Sequence, residues 1–132
     1  MSRKKVTILD IRKRKQTKTP ITMVTAYDFT AALLVDQADM DVILVGDSLG
    51  MVVLGYPGTT EVTMDEMLHH CKAVARGTSG ALLVGDMPFM SYQADVTEAI
   101  RNAVAEQHPQ EFTLEFQHQA GVRPIRVRVD LI

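Results

Sequence analysis

Apolar residues fall along this chain in two kinds of run. Short unbroken ones, Ile21 to Ala26, Val42 to Val45 and Ala81 to Val84, are rich in β-branched residues and stop at Tyr27-Asp28, Gly46-Asp47 and Gly85-Asp86. Runs of that length and kind predict strands covered on both faces. Between them the apolar positions recur every three or four residues, the spacing that gives a helix one buried stripe. Phe29, Ala32 and Leu33 are expected to face inward on a helix capped by Asp28 and ending near Ala38. Met67, Leu68, Cys71, Val74 and Ala75 mark the buried face of a second helix, opened by a Thr63–Glu66 capping box and stopped by Gly77. Asp95 and Glu98 open a third, through Val104. Ahead of all of these, Thr7 and Asp10 have capping-box spacing, and Ile8, Leu9 and Ile11 give a narrow stripe to a short helix over Thr7 to Lys18.

Strands apolar on both faces that alternate with helices predict parallel βαβ units, hence an α/β fold of barrel or doubly wound type. After about Ala105 the pattern changes. Phe112, Leu114 and Phe116 alternate with polar residues, as do Ile125, Val127, Val129 and Leu131 beyond a Gly121–Pro124 turn. This spacing predicts an antiparallel hairpin. The expected organisation is therefore residues 1–104 as a βα array preceded by a short helix, and 105–132 as a divergent tail.

Charge is uneven along the chain. The first twenty residues hold eight Lys/Arg against Asp10 alone, and the remainder holds six against fifteen Asp/Glu. A basic start is a possible nucleic-acid footprint. With no Trp, 5% aromatic residues and an acidic main body, a solvated helix face with Arg12 to Lys15 in water is the better expectation, and no nucleic-acid partner is expected. No apolar run approaches the roughly 18 residues of a membrane span, so no membrane association is expected either. Cys71 is the sole cysteine, which excludes an intrachain disulfide; with no signal-peptide pattern at the start, a cytoplasmic setting is expected.

Two carboxylates stand where chemistry would be placed. Asp47 in VGDSLG and Asp86 in VGDMPF each follow a predicted strand, and ligands bind at the carboxyl ends of parallel strands. Two carboxylates in one crevice repel unless a cation lies between them, and hard oxygen donors suit Mg²⁺. A 2-oxo acid would supply the remaining oxygens, with Ser48 available to its carboxylate. The plainer alternative makes each Asp a turn cap. Tyr27 and Asp28 are open to either a crevice or a cap role. His69 and His70, about 100° apart on one helix, are expected to be solvated or packing residues, and Cys71 a small core residue. The loop Gly46 to Gly58 lacks the Lys and the spacing of a phosphate-binding loop.

Three long segments carry a resemblance: ITMVTAYDFTAALLVDQADMDVILVGDSLGMVVLGY, EVTMDEMLHHCKAVARG and ALLVGDMPFMSY. Together, over about Val6 to Val104, they resemble the amino-terminal part of the ketopantoate hydroxymethyltransferase family. The resemblance implies a (β/α)₈ TIM barrel, of which about the first three βα units are present, in a cytoplasmic homo-oligomer. It implies an Mg²⁺-dependent transferase of pantothenate biosynthesis, moving a hydroxymethyl group from 5,10-methylenetetrahydrofolate to 3-methyl-2-oxobutanoate to give 2-dehydropantoate. By motif it makes Asp47 and Asp86 metal ligands and Asp47, Ser48 and Asp86 substrate contacts. The family's Lys and Glu of a VKIEGG-like fourth strand, and its base Glu from a later strand, have no match after Val104, so no catalytic residue is assigned. FTLE, residues 112–115, would set Glu115 at the metal-linked position but Thr113 at that of the Lys, and is read as chance. A truncated or frame-shifted family member is the expectation. The alternatives are another Mg²⁺-dependent barrel enzyme acting on 2-oxo acids or phosphoenolpyruvate, and a non-catalytic partial barrel.

Overall fold

The computed structural model describes residues 3–105 and 112–115. Their elements run α1 (Ile8–Thr17), β1 (Met23–Thr25), α2 (Phe29–Gln37), β2 (Val42–Val45), α3 (Leu49–Val52), α4 (Met64–Gly77), β3 (Leu82–Asp86), α5 (Val96–Ala105) and β4 (Phe112–Glu115). The strands form one sheet in the order β1-β2-β3-β4, every described pair parallel. This is the βαβ architecture that the unbroken apolar runs predict.

Both faces of β2 and β3 are covered, as such runs require, but β1, expected from Ile21 to Ala26 to be buried as well, is not: Met23 is 56% exposed, because the covering side chains of the helices gather on β2 and β3. On one face Ile43, Val45, Ala81 and Leu83 pack with Ala32 and with Met67, Cys71, Val74 and Ala75 of α4. On the other, Val42, Leu82 and Val84 pack with Val6 and with Ile8 and Ile11 of α1. Leu9, expected in that stripe, is 62% exposed, because the narrow contact of α1 uses Ile8 and Ile11 alone. Both predicted capping boxes are present, at Thr7/Asp10 and Thr63/Glu66.

The packing of α2 differs from expectation. Ala32 is fully buried, but Phe29 and Leu33 are 47% and 38% exposed. The reason lies at Gly77, where a methyl group would sit 2.6 Å from the Phe29 carbonyl oxygen and 2.9 Å from Ala32 Cβ. The two helices touch backbone to backbone, so the small residue faces inward and its larger neighbours turn to the sides. Gly77 is thus the last helical residue and a close-approach site, with Thr78 in extended conformation as the cap.

Two carboxylates that the apolar pattern does not reveal tie the elements together. Asp36, near the end of α2, accepts hydrogen bonds from the backbone N–H groups of Ser79, Gly80 and Ala81 at 2.8–3.1 Å and from the Ser79 hydroxyl at 2.7 Å. Asp41, before β2, is 5% exposed and accepts from the Thr22 N–H and hydroxyl at 3.0 Å. It also pairs with Arg14 at 2.5 Å and Arg3 at 3.3 Å. Arg14 therefore leaves the solvated face predicted for it, since a buried carboxylate needs a partner. Part of the basic start is an internal clamp.

Burial pushes both carboxyls up, but accepted hydrogen bonds outweigh it and hold each below its ordinary 3.8, from Ser79, Ala81 and Gly80 for Asp36, and from Thr22 and Arg14 for Asp41. A carboxyl lowered on folding contributes stability that is complete above its unfolded value and is lost as pH falls through the folded one. Urea unfolding should accordingly show stability falling as pH drops from about 5 to about 2, and the double variant D36N/D41N should show a shallower fall. Equal falls in the two proteins would contradict the assignment.

The last described strand adds a pairing that the sequence pattern does not give. Phe112–Glu115 is a strand, as its alternation predicts, and on one edge it pairs parallel with β3, in the register Asp86↔Glu115. Alternation fixes a strand's two faces, not the direction of its neighbour. The other predicted arm, 125–131, lies outside the described residues.

Candidate functional site

The carboxyl ends of β1, β2 and β3 bring Tyr27, Asp47, Ser48 and Asp86 to one side of the sheet. Asp86 is the last residue of β3, and its Oδ2 accepts a hydrogen bond from the Asp47 backbone N–H at 3.2 Å. The two aspartate positions are therefore adjacent across the β2–β3 pair, as their places in the sequence predict. A methyl group at Gly46 would lie 3.1 Å from Ser48 Oγ and 3.3 Å from Asp86 Oδ2. The bare glycine keeps open the space that the hydroxyl and the carboxylate border.

Ser48 opens the four-residue α3, and its hydroxyl lies 2.8 Å from the phenolic oxygen of Tyr27. Asp47 is 8% exposed, with Met87 and Pro88 buried beyond Asp86. The Ser91 hydroxyl donates to the Pro88 carbonyl, and the Asn102 amide of α5 donates to the Ser91 carbonyl, so the segment after β3 is tied to the next helix.

Of the residues left open by the sequence, Tyr27 joins the crevice and Asp28 does not. Asp28 caps α2, accepting from the Ala31 N–H at 2.7 Å. Cys71 is buried in the core. The two histidines meet edge to face at 5.4 Å, and His70 Nδ1 lies 2.6 Å from the Tyr27 carbonyl oxygen. His70 is thus a packing histidine with a defined partner. Tyr56 donates a very short hydrogen bond to Glu66; that bond raises the Tyr56 hydroxyl pKa, while the Thr63 N–H and Tyr56 hold the Glu66 carboxyl below its ordinary value. Sequence spacing gives no sign of the Tyr27–Ser48 bond, because the partners stand 21 residues apart on different strand ends.

The donors here are hard oxygens: two carboxylates and a hydroxyl. Among the described residues no three His, Cys, Asp or Glu side chains form a ready-made metal cage. That set fits Mg²⁺, which binds through one or two carboxylates and fills its remaining positions with water and substrate. It does not fit zinc, which wants nitrogen or sulfur donors in a closed tetrahedron.

The ketopantoate hydroxymethyltransferase family model matches residues 5–114. A 3-methyl-2-oxobutanoate hydroxymethyltransferase of Ignicoccus hospitalis is 62% identical over 101 residues, covering 76% of this chain and 38% of that protein. Its namesake in Moorella thermoacetica is 57% identical with the same coverage, and the one in Geobacillus thermodenitrificans is 61% identical over 94 residues, 71% of this chain and 34% of the relative. The chain thus spans less than two fifths of the length of these relatives. The family match extends past α5 into β4, beyond Val104, where the resemblance in the sequence stops. With a parallel α/β sheet, paired aspartates at its carboxyl edge and most of its length matched at this identity, the chain belongs to the ketopantoate hydroxymethyltransferase family.

Proposed function

We propose that this chain provides the metal- and oxo acid-binding strands of a (β/α)₈ barrel hydroxymethyltransferase. In that reaction a one-carbon unit passes from 5,10-methylenetetrahydrofolate to C3 of 3-methyl-2-oxobutanoate, with water supplying the new hydroxyl group, giving 2-dehydropantoate and tetrahydrofolate. The observation that carries the reading is the contact of the Asp86 carboxylate with the Asp47 backbone, with the Ser48 hydroxyl bordering the same opening at Gly46.

In this reading Asp47 and Asp86 hold Mg²⁺, and Ser48 donates its hydroxyl hydrogen to the substrate carboxylate. When bound, the ion supplies Lewis acidity at the keto oxygen, which makes the neighbouring C3–H more acidic. Glu115 stands opposite Asp86 in the backbone register, so the FTLE segment read above as chance falls at the carboxyl edge of the same sheet. The Asp86 carboxylate is oriented by the N–H it accepts, so its geometry precedes ligand binding. The C3 proton goes to a general base, which the family resemblance places in a later segment than the matched residues 5–114.

Calorimetric titration of the full chain with Mg²⁺, in the presence of 3-methyl-2-oxobutanoate, tests this. D47N and D86N should each weaken Mg²⁺ binding by about tenfold or more, because each removes an anionic ligand from a hard-cation site. Binding unchanged in both would make the two aspartates turn caps and end the reading.

A further inference from the structure

A connection from the outer helix layer to the crevice remains unused by the carboxylate site. His70 lies on α4, and its Nδ1 is 2.6 Å from the carbonyl oxygen of Tyr27, 43 residues away. A carbonyl only accepts, so Nδ1 carries the hydrogen, and the neutral ring is the Nδ1–H tautomer. That bond grips the backbone where it leaves β1. The next residue, Asp28, is held as the cap of α2, so Tyr27 is fixed on both sides. Its phenol then reaches Ser48 Oγ at 2.8 Å, and Ser48 Oγ borders the opening shared with Asp86 Oδ2.

We infer that His70 is a positioning residue for Ser48: by holding the Tyr27 carbonyl, it sets the phenol that fixes the Ser48 hydroxyl for the carboxylate of a bound 2-oxo acid. The inference rests on the reading of the crevice given above. A serine side chain otherwise samples three staggered wells, and selecting one before binding lowers the ordering cost of the complex. Helix α4 suits this task because its anchors are packed in the core: Met67 and Val74 are fully buried and Cys71 is 1% exposed. His70 therefore ties a packed helix to the Tyr27 backbone, whose side chain also lies against the core.

The first test needs no ligand. Nitrogen-15 spectra of the imidazoles in the full chain should show neutral His70 protonated at Nδ1, the less common tautomer in solution; a neutral ring protonated at Nε2 overturns the inference. The second reads 3-methyl-2-oxobutanoate binding with Mg²⁺ present. H70L and Y27F should each weaken it by about tenfold, the worth of one well-placed hydrogen bond. H70N, whose amide hydrogen can reach the same carbonyl, should restore most of the loss. Because both residues act through one hydroxyl, the double variant H70L/Y27F should be no weaker than either single one. Additive losses, or wild-type binding in H70L, would leave His70 a purely structural residue. A wild-type chain that binds no 2-oxo acid removes the crevice reading itself and the positioning role with it, an outcome distinct from wild-type binding that H70L leaves unchanged.

Discussion

Replacing Asp36 by Ala should cost the folded chain about 3 kcal/mol, read from urea unfolding at neutral pH. The carboxylate accepts from three successive backbone N–H groups, Ser79, Gly80 and Ala81, and from the Ser79 hydroxyl. A hydroxyl can rotate to water, but backbone donors entering a strand cannot. The N–H groups of Gly80 and Ala81 are part-buried, and a buried donor left without an acceptor costs roughly 1–3 kcal/mol. The substitution also unties the carboxyl end of α2 from the start of β3, so the loss is not confined to one turn. D36N keeps one acceptor oxygen and should lose about half as much. A loss below about 0.5 kcal/mol in D36A would show that water replaces the carboxylate at all three donors.

Gly77→Val should be at least as damaging, and it acts through shape alone. The first carbon added at Gly77 would lie 2.6 Å from the Phe29 carbonyl oxygen, 2.9 Å from Ala32 Cβ and 3.1 Å from the Leu33 nitrogen. Two of these are backbone atoms in the first turns of α2, which cannot swing aside as a side chain does. The helices must separate, opening the contact in which Ala32, Val74 and Ala75 are buried. Overpacking of this kind typically costs about 1–3 kcal/mol, and the branched Val should exceed that range. Gly77→Ala is the informative companion: helix propensity alone would stabilise it by about 1 kcal/mol, whereas the contact predicts a net loss. A thermal melt showing G77A more stable than the parent would mean that α2 can shift without penalty.

The layered α/β architecture was legible because it follows from the period of the apolar positions. Val42–Val45 and Leu82–Asp86 are strands, α4 is amphipathic, and both capping boxes form, since each is decided within a few residues. The adjacency of Asp47 and Asp86 was legible too, because parallel strands deliver their carboxyl ends to one edge. Contacts between residues distant in sequence were not. Phe29 and Leu33 look inward by hydrophobicity, and the decision belongs to Gly77, 44 or more residues away, through a backbone contact that leaves no trace in the local pattern. Arg14 reads as a surface charge until Asp41 is seen beneath it. Phe112–Glu115 shows a strand's alternation, and only its partner reveals that it extends the parallel sheet.

The placement of α1 also constrains the order of assembly. Val6 donates its N–H to the Gly80 carbonyl, and Arg3 reaches Met40 and Asp41. Ile8 and Ile11 rest on Val42, Leu82 and Val84, a surface that comes into being only when β2 and β3 are side by side. Because α1 precedes β2 and β3 in the chain, it cannot dock until both have followed it. Asp41 is at hand early for its cations, but until Leu82 and Val84 have been made its two isoleucines have no complete surface to cover.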